Sequence, residues 1–325
     1  MPLSRQTALG SAFFAMGRAQ QRGVATTTTT MTAATDATHN VATSAAAAAL
    51  AEDFNATRAE YLVNMVCPKC EKRVREAFAD QTDPAAGPVY EIACDVDAQL
   101  VTMASTLSTD DVIRVIEDEA GLDCRLIGIT GYTPGEDSMA SAQAKGFAVP
   151  AAVAEFKGAY MGGAFQEGIV GVVQFVQLDE GVCRVEAALA AEERGGDPGA
   201  DKGDFYEVEV REYGDISQGV ANTGGVYGGG PLGRAEFKKS GTKNRTERRA
   251  EGMEHDNPTF KFRGDRVEGL DCHDLVGRAV VVRRVSGSDG TTVLREAAAV
   301  IARKAGLGQN YKRTCACDGT VIWQS

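Results

Sequence analysis

The chain has 325 residues, 43% of them hydrophobic, which is enough for about two globular domains with separate cores. Its formal net charge of −11 argues against a nucleic-acid-binding protein, and the absence of any apolar run of about 18 residues argues against a membrane span. Eight cysteines are far fewer than a disulfide scaffold of this length would carry, so cysteines in tight pairs indicate metal or redox chemistry.

The N-terminal segment has the composition of an organelle transit peptide. Its first 35 residues contain three arginines, no acidic residue before Asp36 and a run of five threonines from Thr26. A chloroplast or mitochondrial address is therefore expected, and Met31 would provide a second start for a cytosolic form. A low-complexity leader without an address is the alternative. With the Ala-rich stretch that follows, the predicted leader comprises residues 1–56.

Residues 57–130 alternate between strand and helix patterns. Tyr61, Val63 and Met65 alternate as a strand, and a capping sequence begins at Ser108. The other predicted elements are a helix from Glu71 to Phe78, strands Val89–Val96, Gln99–Ala104 and Cys124–Ile129, and a helix after Ser108. The order βαββαβ predicts an α+β, ferredoxin-like unit.

Two cysteines, Cys67 and Cys70, lie in the loop that leads into the first predicted helix. A helix N-terminus favours the thiolate form, and Lys69, Lys72 and Arg73 add positive charge beside it. Soft sulfur ligands select Cu(I), whereas a tetrahedral zinc site would need two further ligands. The two residues are therefore predicted to bind Cu(I).

A dithiol redox loop is the competing interpretation of this C-x-x-C pair. Met65, two residues before Cys67, and the position at the first helix of a βαββαβ unit favour copper. On these residues the segment resembles the heavy-metal-associated copper-binding domain, with Met65-x-Cys67-x-x-Cys70 in register. Cys94 and Cys124 are expected to be small apolar residues in strands.

The next two segments differ from it in amino-acid composition. Residues 131–154, rich in Gly, Ser and Ala, are predicted to be a linker. Residues 155–305 have short strands separated by Gly- and Asp-rich turns, which predicts an all-β sandwich or barrel. The predicted strands are Ile169–Leu178, Val182–Ala188, Phe205–Tyr213, Val276–Arg284 and Ala297–Arg303.

The β segment resembles Cu/Zn superoxide dismutase, and more closely the dismutase-like domain of the copper chaperones of that enzyme. Four collinear stretches carry the resemblance: Gly171–Phe175, Arg211–Asp215, Gly277–Val282 and Val300–Leu307. The fold that this implies is a Greek-key barrel. A basic stretch from residue 238 to 249 departs from the enzyme and is predicted to be a solvated loop, with a nucleic-acid or targeting patch as the alternative.

The resemblance also places the enzyme's four copper histidines, which fall on Glu209, Arg211, Val226 and Arg283. Arginine offers no lone pair, valine offers no ligand, and a single carboxylate cannot replace four imidazoles. We therefore expect no dismutase activity and no zinc site in the barrel, and predict that it recognises a dismutase subunit instead. Cys183 and Cys272 are assigned no role.

The tail, residues 306–325, contains the pair Cys315-Ala-Cys317 followed by Asp-Gly-Thr-Val-Ile-Trp. In an extended segment residues i and i+2 project to the same side, so both sulfurs can face one metal or one partner disulfide. Their separation of roughly 6.6 Å exceeds the usual disulfide spacing, so a bridge would be strained and easily reduced. The tail resembles the C-terminal segment of copper chaperones for superoxide dismutase.

Over residues 57–325 the chain is thus similar to copper chaperones for superoxide dismutase of the plant or algal type. The resemblance implies a metallochaperone, not an enzyme, in which Cys67 and Cys70 acquire Cu(I) and the barrel forms a heterodimer with a Cu/Zn superoxide dismutase subunit. Cys315 and Cys317 would deliver the metal and assist formation of the target's disulfide. The upstream copper donor is unknown. A thiol-disulfide oxidoreductase without metal delivery and, less favoured, an active dismutase are the alternatives.

Overall fold

The computed structural model describes residues 55–82, 88–132, 149–157, 168–191, 204–236 and 259–309, all of which belong to one compact unit. These residues form a four-stranded sheet with two helices and an eight-stranded sheet. The predicted leader up to residue 54, most of the predicted linker, the basic stretch and both tail cysteines lie outside them. None of the helices in the described ranges is long and apolar enough to cross a membrane.

The first sheet is antiparallel, with the strand order β2-β3-β1-β4. Its strands are β1 (Thr57–Val63), β2 (Val89–Asp95), β3 (Leu100–Ser105) and β4 (Cys124–Gly131). Helix α1 (Pro68–Ala77) follows β1, and helix α2 (Thr109–Asp118) follows β3. A short 3-10 turn at Ala79–Gln81 ends the first helical segment. The strands and helices expected in residues 57–130 are present, with ends shifted by a few residues.

Both helices pack their apolar faces on this sheet. Val74 of α1 and Val112 and Ile116 of α2 are fully buried in one cluster with Tyr61 and other side chains of the strands. Burying an aliphatic or aromatic side chain contributes about 1.5–3 kcal/mol. The predicted cap is confirmed, because the Ser108 hydroxyl accepts a hydrogen bond from a backbone N–H in the first turn of α2.

The second sheet has the strand order β10-β7-β6-β5-β12-β11-β8-β9. Its strands are β5 (Ala151–Lys157), β6 (Ile169–Asp179), β7 (Val182–Ala191), β8 (Phe205–Arg211), β9 (Gly233–Glu236), β10 (Thr259–Glu268), β11 (Ala279–Val285) and β12 (Val293–Lys304). A short helix, α3 (Cys272–Leu275), precedes β11. All of the strand pairs are antiparallel.

The two ends of this strand order come together, so the sheet curls into a nearly closed barrel. The ring of Phe262 in β10 lies against Gly233 in β9 so closely that an added Cβ atom there would be 1.8 Å from it. Inside, the rings of Tyr206 (β8) and Phe260 (β10) stack with centroids 3.9 Å apart. The all-β prediction is confirmed at the level of a barrel-like sheet.

Several strands differ from the sequence-based expectation. β5 begins at Ala151, inside the segment predicted as linker, and β9 and β10 were not predicted at all. β5 is rich in Ala, which has weak strand propensity, so its alternation of buried and exposed residues carried little signal. β8 ends at Arg211 rather than Tyr213, because the Tyr213 N–H bonds outside the ladder to the Thr223 carbonyl.

A buried ion pair joins the two sheets. Arg184 of β7 is fully buried and lies 2.6 Å from Glu186, whose carboxylate also accepts hydrogen bonds from the backbone N–H and hydroxyl of Thr109 at the start of α2. The Arg184 guanidinium donates to three carbonyl oxygens in the segment that carries the first sheet, those of Asn55 (3.0 Å), Thr106 (3.1 Å) and Leu107 (2.7 Å). Ala151 and Val176 of the barrel belong to the apolar core of the first sheet. The two sheets are therefore packed as one body.

The chain that follows β12 returns to the first sheet. The Ala305 carbonyl accepts a hydrogen bond from the Ile129 N–H of β4, at 3.2 Å. The Gly308 N–H donates to the Glu60 carboxylate of β1, at 2.8 Å. The residues that lead to the C-terminal tail thus start from the unit that carries Cys67 and Cys70.

Candidate metal site

Cys67 and Cys70 lie together at the N-terminus of α1. Cys67 is the N-cap residue, with extended backbone angles (φ −164°, ψ 166°), and Pro68 takes the first helical position, where its missing N–H costs no hydrogen bond. Cys70 is in the first turn, and its backbone N–H donates to the Cys67 carbonyl. The two sulfurs are 3.7 Å apart. The predicted pairing of these thiols is therefore local, set by the start of the helix.

The surroundings of Cys67 favour its ionised form. Hydrogen bonds from the backbone N–H and the thiol of Cys70, and from the backbone N–H of Lys69, lower the pKa of the Cys67 thiol, with a smaller contribution from the Lys69 charge. The two cysteines differ in exposure, because Cys67 is partly exposed and Cys70 is buried. One thiolate thus faces solvent while its partner is shielded.

Met65, the third residue of the motif, packs in the core. Its side chain is 1% exposed and belongs to the same cluster as Cys70 and Val74, while its backbone carbonyl accepts a hydrogen bond from Gln99. The residue thus anchors the loop beneath the cysteines. Among the residues that the structure describes, no group of three or more His, Cys, Asp or Glu side chains is arranged to hold a metal.

The two cysteines in the strands of the first sheet have the surroundings of apolar core residues. Burial raises the pKa of Cys124, which is fully buried in β4, and raises the pKa of the partly buried Cys94 in β2. Both thiols are therefore kept protonated and unreactive compared with Cys67. Their expected structural role agrees with this environment.

In the barrel, the positions assigned to the lost copper histidines form one cluster. The Glu209 carboxylate lies 2.7 Å from the Arg211 guanidinium and 3.0 Å from that of Arg283, and Val226 pairs with Arg211 through an isolated β-bridge. Burial raises the pKa of Glu209, while the Arg283 charge lowers it. The four residues thus lie beside one another, and two of the contacts among them are ion pairs.

Three exposed apolar residues lie on neighbouring segments of the barrel, and together we call them the barrel apolar surface: Tyr213, Val276 and Val300, exposed by 60%, 40% and 40%. The segments that carry them are tied together, because the Gly277 N–H donates to the Ile301 carbonyl and the Arg278 guanidinium donates to the Glu212 carbonyl. No pattern in the sequence singled these residues out. The available sequence signal was their apolar character, within or beside the stretches that resemble a dismutase.

Both tail cysteines, Cys315 and Cys317, lie outside the described residues. The described chain ends at Gln309, one residue after the Gly308 contact with Glu60 of β1. Their pairing therefore remains a prediction from the sequence.

Comparisons with known proteins agree on one family. A chloroplastic/cytosolic copper chaperone for superoxide dismutase from Arabidopsis thaliana is 32% identical over 273 residues, which cover 82% of this chain and 69% of that protein. A chloroplastic copper chaperone for superoxide dismutase from Oryza sativa subsp. japonica is 30% identical, covering 82% and 70%. The copper chaperone for superoxide dismutase of Rattus norvegicus is 26% identical, covering 82% and 87%. No family model matches the chain.

Proposed function

Because the chain belongs to the family of copper chaperones for superoxide dismutase, we propose that it takes up copper at Cys67 and Cys70 and delivers it to a Cu/Zn superoxide dismutase. It is a metallochaperone, not an enzyme. The observation that carries the assignment of the loading site is the pair of sulfurs 3.7 Å apart at a helix N-terminus, one of them with a lowered thiol pKa.

The proposed cargo is Cu(I). Two thiolates suffice for this soft ion, whereas structural zinc takes four ligands in a tetrahedron. Two thiolates on one Cu(I) carry a net negative charge, which the positive end of α1 offsets. The partly exposed Cys67 would exchange its bond to the metal for an incoming thiolate, while the buried Cys70 stays bound to the ion. Copper would then pass from sulfur to sulfur without release into solution.

We propose that residues 57–130 form the copper-binding domain, with ferredoxin-like topology, and that residues 155–305 form a dismutase-like Greek-key domain. The strand order of the first sheet and the barrel closure of the second support this division. The hydrogen bonds of the buried Arg184 and Glu186 to Leu107 and Thr109 would hold the two proposed domains together, so the loading site would be carried at a set position relative to the barrel.

The barrel apolar surface is the proposed contact with the dismutase subunit. Dismutase subunits pair through matching surfaces, so a domain of the same shape can take the place of one subunit in a heterodimer. Three exposed apolar side chains held on one backbone network supply the kind of patch that marks such a contact.

The altered copper position in the barrel would keep this domain from competing for the cargo. Arg211 and Arg283 are permanently charged and already paired with Glu209, so copper would have to displace two guanidinium groups to reach a single carboxylate. We therefore propose that the barrel binds no copper or zinc there and serves recognition.

Cys315 and Cys317 are the proposed hand-over thiols. They lie seven and nine residues beyond Gly308, and Cys67 lies seven residues beyond Glu60, the residue that Gly308 contacts. Seven residues extend at most about 25 Å. Both Cys315 and Cys67 therefore lie within this distance of the contact between Gly308 and Glu60.

The same pair would pass a disulfide to the target. A Cys315–Cys317 disulfide, formed beforehand by exchange with an external disulfide, would be attacked by one target thiolate to give a mixed disulfide. The second target thiolate would then expel the tail thiolate, which leaves the target oxidised by two electrons and the tail reduced.

The proposed location is the chloroplast, with a cytosolic form that starts at Met31. The Arabidopsis relative is described as chloroplastic/cytosolic and the Oryza relative as chloroplastic. N-terminal sequencing of the mature protein from both fractions tests this proposal. An intact Met1 in the organelle fraction would contradict transit cleavage.

Activation of reduced, copper-free dismutase by the Cu(I)-loaded chain tests the function. The double variant Cys67→Ser with Cys70→Ser should lose bound copper and most of the activation, whereas Cys315→Ser with Cys317→Ser should keep copper but fail to activate. Cys94→Ser is the matched control and should behave as the unaltered chain. Unchanged copper stoichiometry and activation in the Cys67, Cys70 variant would favour a thiol oxidoreductase instead.

A further inference from the structure

A second pair of cysteines lies inside the barrel, apart from both proposed copper motifs. Cys183 is at the start of β7, Cys272 begins α3, and the two are separated by 89 positions in the sequence. Their sulfur atoms are 3.7 Å apart, and neither side chain is exposed. The fold thus brings two distant thiols into contact, although neither had a predicted role.

The segments on which these thiols lie are held in register by a polar network. The Gln177 side chain of β6 accepts a hydrogen bond from the Cys272 backbone N–H at 2.6 Å and donates to the Asp271 carboxylate at 2.7 Å. The same carboxylate accepts from the Gly181 N–H, in the turn between β6 and β7. The sulfurs are therefore kept side by side without a covalent bond between them.

This environment suits neutral sulfur. The hydrogen bond between the two thiols, their burial and the nearby Asp271 carboxylate raise the pKa of Cys183, and its thiol is placed to donate to the Leu270 carbonyl at 3.2 Å. Two thiolates on Cu(I) would place a net negative charge in an apolar core beside another carboxylate. A disulfide carries no charge and leaves the core apolar.

We propose that Cys183 and Cys272 form an intramolecular disulfide under oxidising conditions, a redox site distinct from the copper-binding thiols that ties α3 to β7. Bond formation needs an approach of the sulfurs by about 1.7 Å, to the bonded length of about 2.05 Å. Such a bond would restrict the unfolded chain by closing a long loop, and so would stabilise the barrel.

The oxidant is a small-molecule disulfide such as oxidised glutathione. The thiolate of one cysteine attacks it, forming a mixed disulfide and releasing one glutathione; the thiolate of the other cysteine then attacks the protein sulfur and releases the second. Two protons and two electrons leave the protein, and the electrons reduce the oxidant. Because both thiols are buried, the reaction proceeds through local opening of α3 and is accelerated by urea below the unfolding midpoint.

Peptide mapping of the intact chain tests the proposal. The chain is equilibrated with oxidised and reduced glutathione in moderate urea, alkylated with N-ethylmaleimide and digested with trypsin without reduction. Each cysteine lies alone in its tryptic peptide, residues 158–184 and 267–278. We expect these two peptides to be linked and lighter by two hydrogens than their sum. Recovery of both as alkylated or glutathione-bearing peptides would overturn the proposal.

Thermal unfolding gives a second readout. Oxidation should raise the melting temperature of the unaltered chain and of the Cys67→Ser, Cys70→Ser variant, so the outcome is independent of copper binding. Cys183→Ala should lose this shift, whereas Cys124→Ala, which removes an equally buried thiol from the other sheet, should keep it. If Cys183→Ala does not fold, the peptide map of the unaltered chain still decides. Copper retained at the Cys183, Cys272 pair in place of the link would contradict a disulfide site.

Discussion

Cys67 and Cys70 carry the same side chain in different settings, and this asymmetry is what a carrier site needs. The sulfur at the helix cap receives hydrogen bonds that stabilise its thiolate and faces solvent, whereas its partner is buried beside Val74 and Met65. A site with both sulfurs exposed would lose copper to any competing thiol, and one with both buried would not release it. The position of the pair across the cap of α1 would thus serve both retention and exchange of the proposed copper cargo.

The lowered pKa of Cys67 predicts its reactivity. A depressed pKa means that the thiolate persists to lower pH than in an ordinary cysteine and is lost only as the pH falls through that value. In the copper-free chain, alkylation of Cys67 by iodoacetamide should therefore reach half of its maximal rate at a lower pH than alkylation of Cys94, whose pKa is raised. Mass spectrometry of each peptide across a pH series measures both midpoints. Equal midpoints, or the reverse order, would contradict this account of the site.

At the scale of elements, the contact between the start of α2 and strand β7 joins the two sheets. Arg184 satisfies three backbone carbonyls, and Glu186 satisfies a backbone N–H and a hydroxyl of Thr109. Both charges are almost completely shielded from water, so each depends on the other. This contact makes the orientation of the first sheet, which carries Cys67 and Cys70, a property of the fold.

Removal of Arg184 should therefore destabilise the chain strongly. Arg184→Ala leaves a buried carboxylate and three carbonyl oxygens without this partner, and breaking a buried pair in this way costs about 3–5 kcal/mol. Lys72→Ala is the matched control, because Lys72 pairs with Glu76 on an exposed helix face and such pairs contribute about 0.3–0.5 kcal/mol. Urea unfolding followed by circular dichroism measures both free energies. A loss below about 1 kcal/mol for Arg184→Ala would show that the contact is dispensable.

These elements also show what a sequence can predict. The pairing of Cys67 with Cys70 and the cap at Ser108 depend on residues within one helical turn, so their spacing alone was sufficient. The contacts of Arg184 and the approach of Cys183 to Cys272 join residues 77 or more positions apart, and no local pattern encodes them. β5 was missed for a different reason, because its apolar side is built mainly from Ala, a residue common in helices and linkers.

At the scale of the whole molecule, the barrel apolar surface and the proposed loading site lie on different sheets. Substitutions that weaken binding of dismutase should therefore leave copper binding unchanged. Tyr213→Asp or Val276→Asp places a charge in the proposed contact and should weaken association with copper-free dismutase by at least about tenfold, which corresponds to 1.4 kcal/mol. Val170→Asp is the control, because Val170 is similarly exposed, at 38%, in β6. Sedimentation velocity measures the complex, and Cu(I) binding should be unchanged in all three variants. Equal weakening by Val170→Asp would remove the assignment of this surface.

The contact between Gly308 and Glu60 of β1 predicts that copper moves from the loading site to the tail within one molecule. Gly308 is held to Glu60, so seven residues of sequence separate Cys315 from a point fixed on β1, and short tethers give effective concentrations in the millimolar range. Two complementary variants separate this from transfer between molecules. Copper is loaded onto Cys315→Ser with Cys317→Ser, and Cys67→Ser with Cys70→Ser supplies the tail in trans. At about 1 μM of each, a thousandfold below the millimolar range, the mixture should activate dismutase at least tenfold more slowly than the unaltered chain. Full complementation at that concentration would show that the tail receives copper from another molecule, and that the anchor at Glu60 serves only the fold.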